Sequence, residues 1–511
     1  MMICRIMSAS LIRSCLLVSS VLAFSLSTAQ LRFDPVFSDH MVLQRDRPIR
    51  IFGTANPGAP VLLRFADHEG RSSADVDGHW LIELPARRAD TMARDLQVIS
   101  GIDTITLRDL LVGDIWLCIG QSNMEWPMQR EAHFAEERVR PMSSILRWRN
   151  PDYAGKGFYG TPFTPQVVRR LQADSFYQGD WTRADTRSLP MMSAVAYYAG
   201  RTLTDRTGVP VGLINLSIGG APLETFINPE AIAVDPRFAS KIKGDWLENA
   251  DLPDWVKVRG RQNVGDLPGV PSGPLGKAHP FRPGFAYEGG IKPLLDLPIR
   301  GILCYQGESN AQEPALVGEY GALTRLMVED LRSKWSTPDM PFYFVQLSSI
   351  DTIKYKGQLW PEFRDEQRRM LDSIPHSGMA VCTDIGARDD VHPTEKRLVG
   401  QRLAQWILRD VHGMVSVPSG PLPVRAVWKR GSVIVHFQYT GSRLKTADMS
   451  DLRGFALDGN PSNQVQINGK TVVIEAKEKP RVISYGWQSW SNGNLVNEQG
   501  LPASTFRIPV R

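Results

Sequence analysis

The pattern of apolar and polar positions divides the chain into three regions. From residue 31 to about 108, short stretches alternate apolar and polar residues and are separated by turns, as in "RPIRIFGTANPGAPVLLRFA". Alternation with a period of two is typical of half-buried strands. The same pattern returns from about 421 to 511, for example in "NQVQINGKTVVIEA". We therefore expect a β region at each end of the chain, the first resembling a small β-sandwich.

The central region alternates strands with helices, which predicts a parallel sheet covered on both sides. Short apolar runs predict buried strands at 115–119, 211–216, 302–305, 342–347 and 379–383. Amphipathic stretches predict helices at 320–335, 360–371 and 394–409, and another that Ser193 caps and that ends near Gly208. The predicted boundaries are 30–108 for the N-terminal β domain, 109–415 for the central domain and 416–511 for the C-terminal β domain.

Residues 1–29 have the pattern of a secretory signal peptide. Arg5 and Arg13 precede an apolar run from Cys15 to Leu26, and small residues follow up to Ala29. The run is too short to span a bilayer comfortably, although an uncleaved anchor is the alternative. We expect cleavage near Ala29 and export to the periplasm or the extracellular space, with no membrane span in the mature protein.

Composition excludes several classes of protein. The chain has 511 residues, of which 42% are hydrophobic and 22% charged, so disorder and coiled coil are excluded as the main architecture. The net charge is +5 without a block of like charges, so no nucleic-acid surface is expected. Beyond residue 29 the cysteines are Cys118, Cys304 and Cys382, each in an apolar run, which favours buried thiols over a disulfide framework.

Four polar segments stand out, each at the carboxyl end of a predicted strand, and in open α/β sheets ligands bind where parallel strands end. Gly120-Gln121-Ser122-Asn123-Met124 follows the first strand, where a serine beside a glycine suits an exposed nucleophile. It is not a G-x-S-x-G elbow, and a capped turn is the alternative. The paired glycines of 217–221 leave backbone N–H groups free to stabilise an oxyanion, unless this is a plain turn.

The other two segments carry the remaining polar candidates. In 306–310, Gln306 and Asn310 can donate hydrogen bonds and Glu308 can orient an imidazole, although a solvated loop is equally consistent. In 389–393, the spacing of Asp389 and His392 allows the carboxylate to bond one ring nitrogen while the other faces a nucleophile. Asp390 is a competing partner or a helix cap. A metal site is disfavoured, because no second histidine or cysteine lies near in sequence.

These segments resemble the SGNH hydrolase superfamily, and specifically a bacterial exported member of the sialate O-acetylesterase family. The matching blocks are "WLCIGQSNMEWPM", "GLINLSIGGAPLETF", "GILCYQGESNA" and "DDVHPTEKRLVGQRLAQW". "FSDHMVLQRDRPIRIFGTANPG" and "NLVNEQGLPASTFR" extend the resemblance towards both ends. It implies an α/β fold: an SGNH-type three-layer α/β/α domain with a parallel sheet, flanked by N-terminal and C-terminal β domains.

The resemblance also implies roles for individual residues. Ser122 would be the nucleophile and His392 the general base, with an oxyanion hole formed by the N–H groups of Ser122 and Gly220 and by the Gln306 side chain. The third catalytic member is Asp389 by the SGNH pattern, Glu308 by that of related acetylesterases, or Asp390. The residues expected to bind substrate are Gln121, Asn123, Asn310, Tyr287 and Arg388.

The activity implied is a carbohydrate O-acetylesterase, foremost a sialate O-acetylesterase, that needs no metal or organic cofactor. Glu288 and Cys304 depart from the family pattern, which leaves acetylxylan or another plant glycan as an alternative substrate. A sialic acid requires a cation for its carboxylate, and Arg282, Arg364 and Arg388 are the candidates. Two competing functions are a non-catalytic carbohydrate-binding protein on the same scaffold and a lipase or thioesterase. The flanking β regions either brace the central domain, the favoured role, or bind carbohydrate.

Overall fold

The computed structural model describes residues 30–353 and 355–511, so the predicted signal peptide lies outside the described residues. The fold is mixed α/β, with one large mixed sheet and separate antiparallel sheets. Within the described residues, no helix is long and apolar enough to cross a membrane.

The N-terminal region consists mainly of antiparallel strands. The strands are β1 (Arg32–Phe33), β2 (Val42–Gln44), β3 (Ile49–Thr54), β4 (Pro60–Phe65), β5 (His68–Ser73), β6 (His79–Leu84), β7 (Asp90–Ser100) and β8 (Asp103–Gly120). β1, β3 and β6 form a sheet of their own. β5, β4, β7 and the first half of β8 pair antiparallel in that order, and β2 pairs parallel with β8.

Strand β8 joins the N-terminal region to the central sheet. Its first residues are partly exposed and pair antiparallel with β7, whereas every residue from Leu110 to Gly120 is buried. A continuous apolar run is what a parallel strand covered on both faces requires. The predicted boundary at 108 and 109 therefore falls inside one strand, and the apolar cores of the two regions are continuous.

The central sheet contains, besides β8, the strands β9 (Leu146–Arg149), β12 (Trp181–Arg183), β13 (Val211–Asn215), β16 (Gly301–Tyr305), β17 (Phe342–Val345) and β18 (Ser377–Ala380). Their order is β12-β9-β13-β8-β16-β17-β18, with β12 antiparallel at one edge and the others parallel. Four of the predicted apolar runs are confirmed as strands of this sheet, whereas the run predicted at 379–383 overlaps only the last two residues of β18, because β18 ends at Ala380. Two short antiparallel strand pairs lie outside it: β10 (Asp152–Tyr153) with β11 (Tyr177–Gln178), and β14 (Ser272–Gly273) with β15 (Gly276–Lys277).

The helices are α1 (Ser122–Glu125), α2 (Phe134–Glu137), α3 (Pro165–Arg169), α4 (Ala194–Thr207), α5 (Pro229–Val234), α6 (Asp254–Val264), α7 (Pro314–Lys334), α8 (Trp360–Ser373) and α9 (Arg397–Asp410). The predicted helices are confirmed, although α7 begins earlier than predicted, at Pro314. Ser193 caps α4 by accepting a hydrogen bond from the N–H of Ala196, and Gly208 ends it with a φ of 67°. α4 packs on α9, and α7 packs on α8.

The C-terminal region is antiparallel and has its own apolar core. The strands are β19 (Leu422–Lys429), β20 (Ser432–Gln438), β21 (Leu444–Thr446), β22 (Phe455–Leu457), β23 (Asn460–Pro461), β24 (Val465–Asn468), β25 (Thr471–Glu475), β26 (Val482–Tyr485), β27 (Leu495–Asn497) and β28 (Phe506–Pro509). The two larger sheets have the orders β19-β20-β25-β24 and β23-β22-β26-β28, and β21 pairs with β27.

A buried arginine ties the C-terminal region to the central one. Arg364 is 0% exposed, and its guanidinium donates to the carbonyl oxygens of Leu347 and Ser348 after β17 and of Gln488 and Ser489 after β26. Burial lowers the pKa of Arg364 to about 9, which still leaves it charged at neutral pH. The C-terminal region thus braces the loop that follows β17.

Candidate active site

The predicted nucleophile and base meet at the carboxyl end of the central sheet. β8 ends at Gly120, whose φ of 135° and close approach to the carbonyl of Tyr305 exclude a larger residue. The chain then turns so that Ser122 begins α1. The Ser122 Oγ lies 2.8 Å from His392 Nε2, across 270 positions of sequence. This is the distance at which an imidazole can accept a hydroxyl proton.

The other ring nitrogen of His392 pairs with Asp390. His392 Nδ1 lies 3.0 Å from Asp390 Oδ1, and the same oxygen accepts the backbone N–H of His392 at 2.9 Å. The sequence left Asp389 and Asp390 as alternative partners of this histidine. The described contact is the one to Asp390, and the role of Asp389 stays a prediction. On its flat side, the His392 ring stacks on Trp126 with ring centroids 5.3 Å apart and an interplanar angle of 17°. The imidazole is therefore held at both nitrogens and on one face.

Burial lowers the pKa of His392 below its ordinary value of 6.5. The Asp390 carboxylate opposes that shift, but its side chain is 57% exposed, so water weakens its effect. The neighbouring cations Lys396 and Arg130 lower the pKa further. At neutral pH His392 is consequently a neutral imidazole, the form that can take a proton from Ser122.

Two backbone N–H groups suit an oxyanion hole. Gly220 lines the cleft beside Ser122, and its φ of 75° favours glycine. The loop that carries it is anchored by a hydrogen bond from the N–H of Ile218 to the carbonyl of Gly120, 3.0 Å long. In the described part of the chain, neither the N–H of Ser122 nor that of Gly220 donates to a protein acceptor. Both donors remain available for a ligand.

Gln306 departs from its expected place in the oxyanion hole. It is 1% exposed, and its amide donates to Asn310 Oδ1 at 2.7 Å and to the carbonyl of Ala221 at 3.3 Å. Asn310 is 1% exposed as well and is occupied by the N–H of Leu223 and the carboxylate of Glu224. Both amides hold the loops together beneath the cleft instead of facing it.

The remaining predicted site residues divide between the cleft and other places. Gln121 lines the cleft, and Asn123 lies buried directly below it. Tyr287 is buried in a helical turn outside the cleft lining, and Arg388 is exposed at 66% and lies over Trp490. Tyr287 and Arg388 therefore depart from the substrate contact expected of them, because neither lines the cleft.

Glu308 is likewise buried and does not contact His392 in a described hydrogen bond. Its Oε1 accepts from the side-chain amide of Asn123. Asn123 Oδ1 in turn accepts from Nζ of Lys396 at 2.5 Å. Burial raises the pKa of Glu308 to about 7 and lowers that of Lys396 to about 7. Glu308 therefore belongs to a buried polar cluster next to the serine and histidine.

The cleft above Ser122 has a volume of about 650 Å³. Its walls carry aromatic side chains, and charged ones lie among them. Lys156 is paired with Glu125 at 3.2 Å, whereas Arg130 has no carboxylate partner among the described residues and lies over the Trp126 ring at 5.8 Å. The aromatic residues that line the cleft are Trp126, Tyr159, Trp255 and Tyr355.

The arginines that sequence reasoning assigned to a sugar carboxylate do not line this cleft. Arg364 is engaged by backbone carbonyls, and Arg282 forms an ion pair with Glu288. Sequence reasoning missed Arg130, Trp126 and Lys396. All three lie within or beside the quoted motif blocks, but a lone arginine, tryptophan or lysine carries no pattern that marks it as functional.

One cluster of potential metal ligands lies near the site. Oxygen and nitrogen atoms of Glu131, His133 and Glu395 lie within 4.8 Å of one another. However, His133 Nε2 already pairs with Glu395 at 2.7 Å, and Glu131 accepts from the hydroxyl of Tyr198 at 2.8 Å. None of the three lines the cleft. The ligand atoms of this cluster are already paired by hydrogen bonds within the protein, so we assign the cluster no catalytic role.

Comparisons with known proteins point to one class of enzyme. A family model described as "Carbohydrate esterase, sialic acid-specific acetylesterase" matches residues 290–409. Sialate O-acetylesterases of Mus musculus and Homo sapiens are 26% and 25% identical to the chain, over 77% of it and over 76% and 73% of their own lengths. The crystal structure of a carbohydrate acetylesterase from Xanthomonas citri is 28% identical, with a TM-score of 0.76 over 93% of this chain and 99% of that one.

Fold and comparisons together define the protein as a carbohydrate esterase. Within that class, the chain is similar to the sialate O-acetylesterase family, which confirms the resemblance of its motifs.

Proposed function

We propose that this enzyme removes acetyl groups from sugar hydroxyls, foremost those of sialic acids, by a serine–histidine acyl-enzyme mechanism. The observation that carries the proposal is the 2.8 Å contact between Ser122 Oγ and His392 Nε2 at the floor of an aromatic-lined cleft. The helices around a largely parallel sheet, with polar loops at its carboxyl edge, support an SGNH-type three-layer α/β/α domain flanked by β domains.

In the first step, Ser122 Oγ attacks the acetyl carbonyl carbon while His392 Nε2 accepts the hydroxyl proton. The N–H groups of Ser122 and Gly220 stabilise the negative oxygen, and Asp390 stabilises the imidazolium. The bond to the sugar oxygen then breaks, and His392 returns its proton to that oxygen. In the second step, water gives a proton to His392 and attacks the carbonyl carbon of the acetyl-serine. The bond between that carbon and Ser122 Oγ breaks, His392 returns the proton to Oγ, and acetic acid leaves as acetate after losing its proton to water.

Arg130 supports an acidic sugar as the substrate. It is an exposed guanidinium at the cleft, close enough to His392 to lower the pKa of that imidazole. A carboxylate on the sugar would form a charge-assisted hydrogen bond with it. Acetylated xylan, whose xylose units carry no carboxylate, would stack on the cleft aromatics without using this cation. The two substrate classes therefore differ in their dependence on Arg130.

Replacing Arg130 with glutamine is expected to raise KM for an O-acetylated sialic acid by about tenfold or more, since a hydrogen bond to a charged group contributes about 1.5–3 kcal/mol. Turnover of p-nitrophenyl acetate, which has no carboxylate, should change little. The measurement is acetate release from O-acetylated sialic acids, acetylated xylo-oligosaccharides and acetylated pectin by the wild type and by Arg130→Gln.

Arg138→Gln is the matched control, because Arg138 lies over the Phe134 ring at 5.8 Å, as Arg130 lies over Trp126, but outside the cleft lining. A wild-type preference for acetylated xylo-oligosaccharides that is insensitive to Arg130→Gln would replace sialic acid with a plant glycan as the substrate.

We also propose that the enzyme is exported. The proposal is supported by Arg5 and Arg13 before a short apolar run, and by the small residues that end at Ala29. N-terminal sequencing of the protein from the cell envelope or medium is expected to begin at Gln30. A cytoplasmic protein that retains Met1 would contradict export.

A further inference from the structure

A lysine lies buried beside the catalytic pair without touching the substrate cleft. Lys396 is 0% exposed and immediately precedes α9. Its Nζ donates to Asn123 Oδ1 at 2.5 Å and lies 5.6 Å from the ring centroid of Trp126 and 5.7 Å from that of Tyr305. Burying an ammonium group is costly unless it is compensated by partners. The arrangement around Lys396 therefore needs a physical reason.

The side chain of Asn123 connects this lysine to the loop of the catalytic base. Its amide nitrogen donates to Glu308 Oε1 and to the backbone carbonyl of Val391, the latter at 2.9 Å. Its oxygen accepts from Lys396. Asn123 directly follows Ser122, and Val391 directly precedes His392. One amide thus links the residue after the nucleophile to the residue before the base.

The two charged groups determine how that amide is oriented. A cation on one side requires the oxygen of Asn123, and a carboxylate on the other side requires its nitrogen. With the charges in place, the flipped amide would set donor against donor and acceptor against acceptor. Only the observed orientation presents an N–H to the carbonyl of Val391. Oε2 of Glu308 is buried without a hydrogen-bond partner among the described residues. The amide of Asn123 is therefore the described side-chain partner of this carboxyl group.

Building on the acyl-enzyme function proposed above, we propose that Lys396 is a positioning residue: with Glu308 it fixes the Asn123 amide, which holds the His392 loop against Ser122. It acts through Asn123, since it does not line the cleft.

The electrostatic part of this role has a definite sign. The groups that act on His392 are the Asp390 carboxylate, which raises its pKa, and the cations Lys396 and Arg130, which lower it. Removing the Lys396 cation therefore raises the pKa of His392. Because the neutral imidazole is the base, activity should then be lost at a higher pH as the solution is acidified.

Lys396 has titratable neighbours of its own. Burial lowers its pKa, and the carboxylates of Glu308, Asp390 and Glu131 oppose that shift together with the thiol of Cys382. On the acid side of neutrality Lys396 is charged, which is the range in which the His392 limb of the profile lies.

Lys396→Gln and Lys396→Met separate the two parts of the role, because glutamine keeps a hydrogen-bond donor without the charge and methionine removes both. For Lys396→Gln we expect kcat to fall about tenfold with KM unchanged and the acid limb of kcat/KM to move up by about half a pH unit. For Lys396→Met we expect kcat to fall about 100-fold. Lys277→Met is the control, because Lys277 Nζ donates to backbone carbonyls away from the cleft. Its loss should leave kcat and the acid limb of kcat/KM unchanged.

The assay uses p-nitrophenyl acetate, with labelling of Ser122 by a fluorophosphonate in parallel. Absence of labelling at Ser122 in the wild type would overturn the proposed function itself. Wild-type labelling together with a Lys396→Gln profile that overlays that of the wild type would overturn the role of Lys396 alone. If neither Lys396 variant folds, Glu308→Gln tests the other end of the cluster: a kcat reduced about tenfold supports the proposal, and an unchanged kcat overturns it.

Discussion

Replacing Ser122 with alanine is expected to lower kcat for acetyl ester hydrolysis by about 10⁴-fold or more, because it removes the atom that attacks the carbonyl. Ser122 is only half-buried, and its described side-chain contact is the one to His392. The free energy of unfolding should therefore change by less than about 1 kcal/mol. The measurement is steady-state hydrolysis of p-nitrophenyl acetate, with thermal unfolding by circular dichroism on the same preparations.

Ser377→Ala provides the control for this variant. Ser377 is also a half-buried serine, but it begins β18 at the amino end of the strand and donates to the carbonyl of Ile374. Its loss should leave kcat within about twofold of the wild type, as for other substitutions away from a functional site. Turnover near the wild-type rate in Ser122→Ala would be incompatible with a serine nucleophile at this position.

Replacing His392 with alanine is expected to cost as much as the loss of Ser122, because the two act as one unit. In the wild type the acid limb of kcat/KM should lie below pH 6.5, since burial lowers the pKa of His392 and only the neutral ring accepts the serine proton. Asp390→Asn removes the anion that raises this pKa. The limb should then move to still lower pH, while kcat falls because the imidazolium loses its partner.

The control for the histidine is His412→Gln. Burial also lowers the pKa of His412, but its ring lies near Asp114, 3.5 Å away, beyond the end of α9. The pH profile of this variant should overlay that of the wild type. An acid limb that stays in place in Asp390→Asn would exclude Asp390 as the partner of the base and return that role to Asp389.

Much of the fold was predictable because helix caps and apolar runs in the sequence coincide with the helix ends and buried strands of the structure. Ser193 and Gly208 bound α4 as a cap and a left-handed terminus, and the continuous apolar runs became the parallel strands. Helix α9 begins at Arg397, later than the apolar periodicity predicted. The residues before Arg397 are held by side-chain hydrogen bonds to other parts of the fold, such as that from Lys396 to Asn123. The apolar periodicity of a sequence does not reveal such long-range hydrogen bonds.

The candidate site was predictable only in part. Strand ends placed Ser122, Gly220 and His392 at one edge, because the carboxyl ends of parallel strands share an edge of the sheet. Which way a buried amide turns depends on loop packing, so Gln306 could not be separated from a cleft-lining donor by sequence. The choice between Asp389 and Asp390 depends in the same way on the conformation of a single loop.

The acetyl-serine intermediate can be trapped by stopping the reaction with p-nitrophenyl acetate in acid within the first turnovers and locating the acetyl group by peptide mass spectrometry. We expect one acetyl group on the peptide that contains Ser122, formed as fast as the first turnover and absent from Ser122→Ala. Steady turnover with no acetyl group on any peptide, or with the acetyl group on a different residue, would rule out the acyl-enzyme mechanism at Ser122.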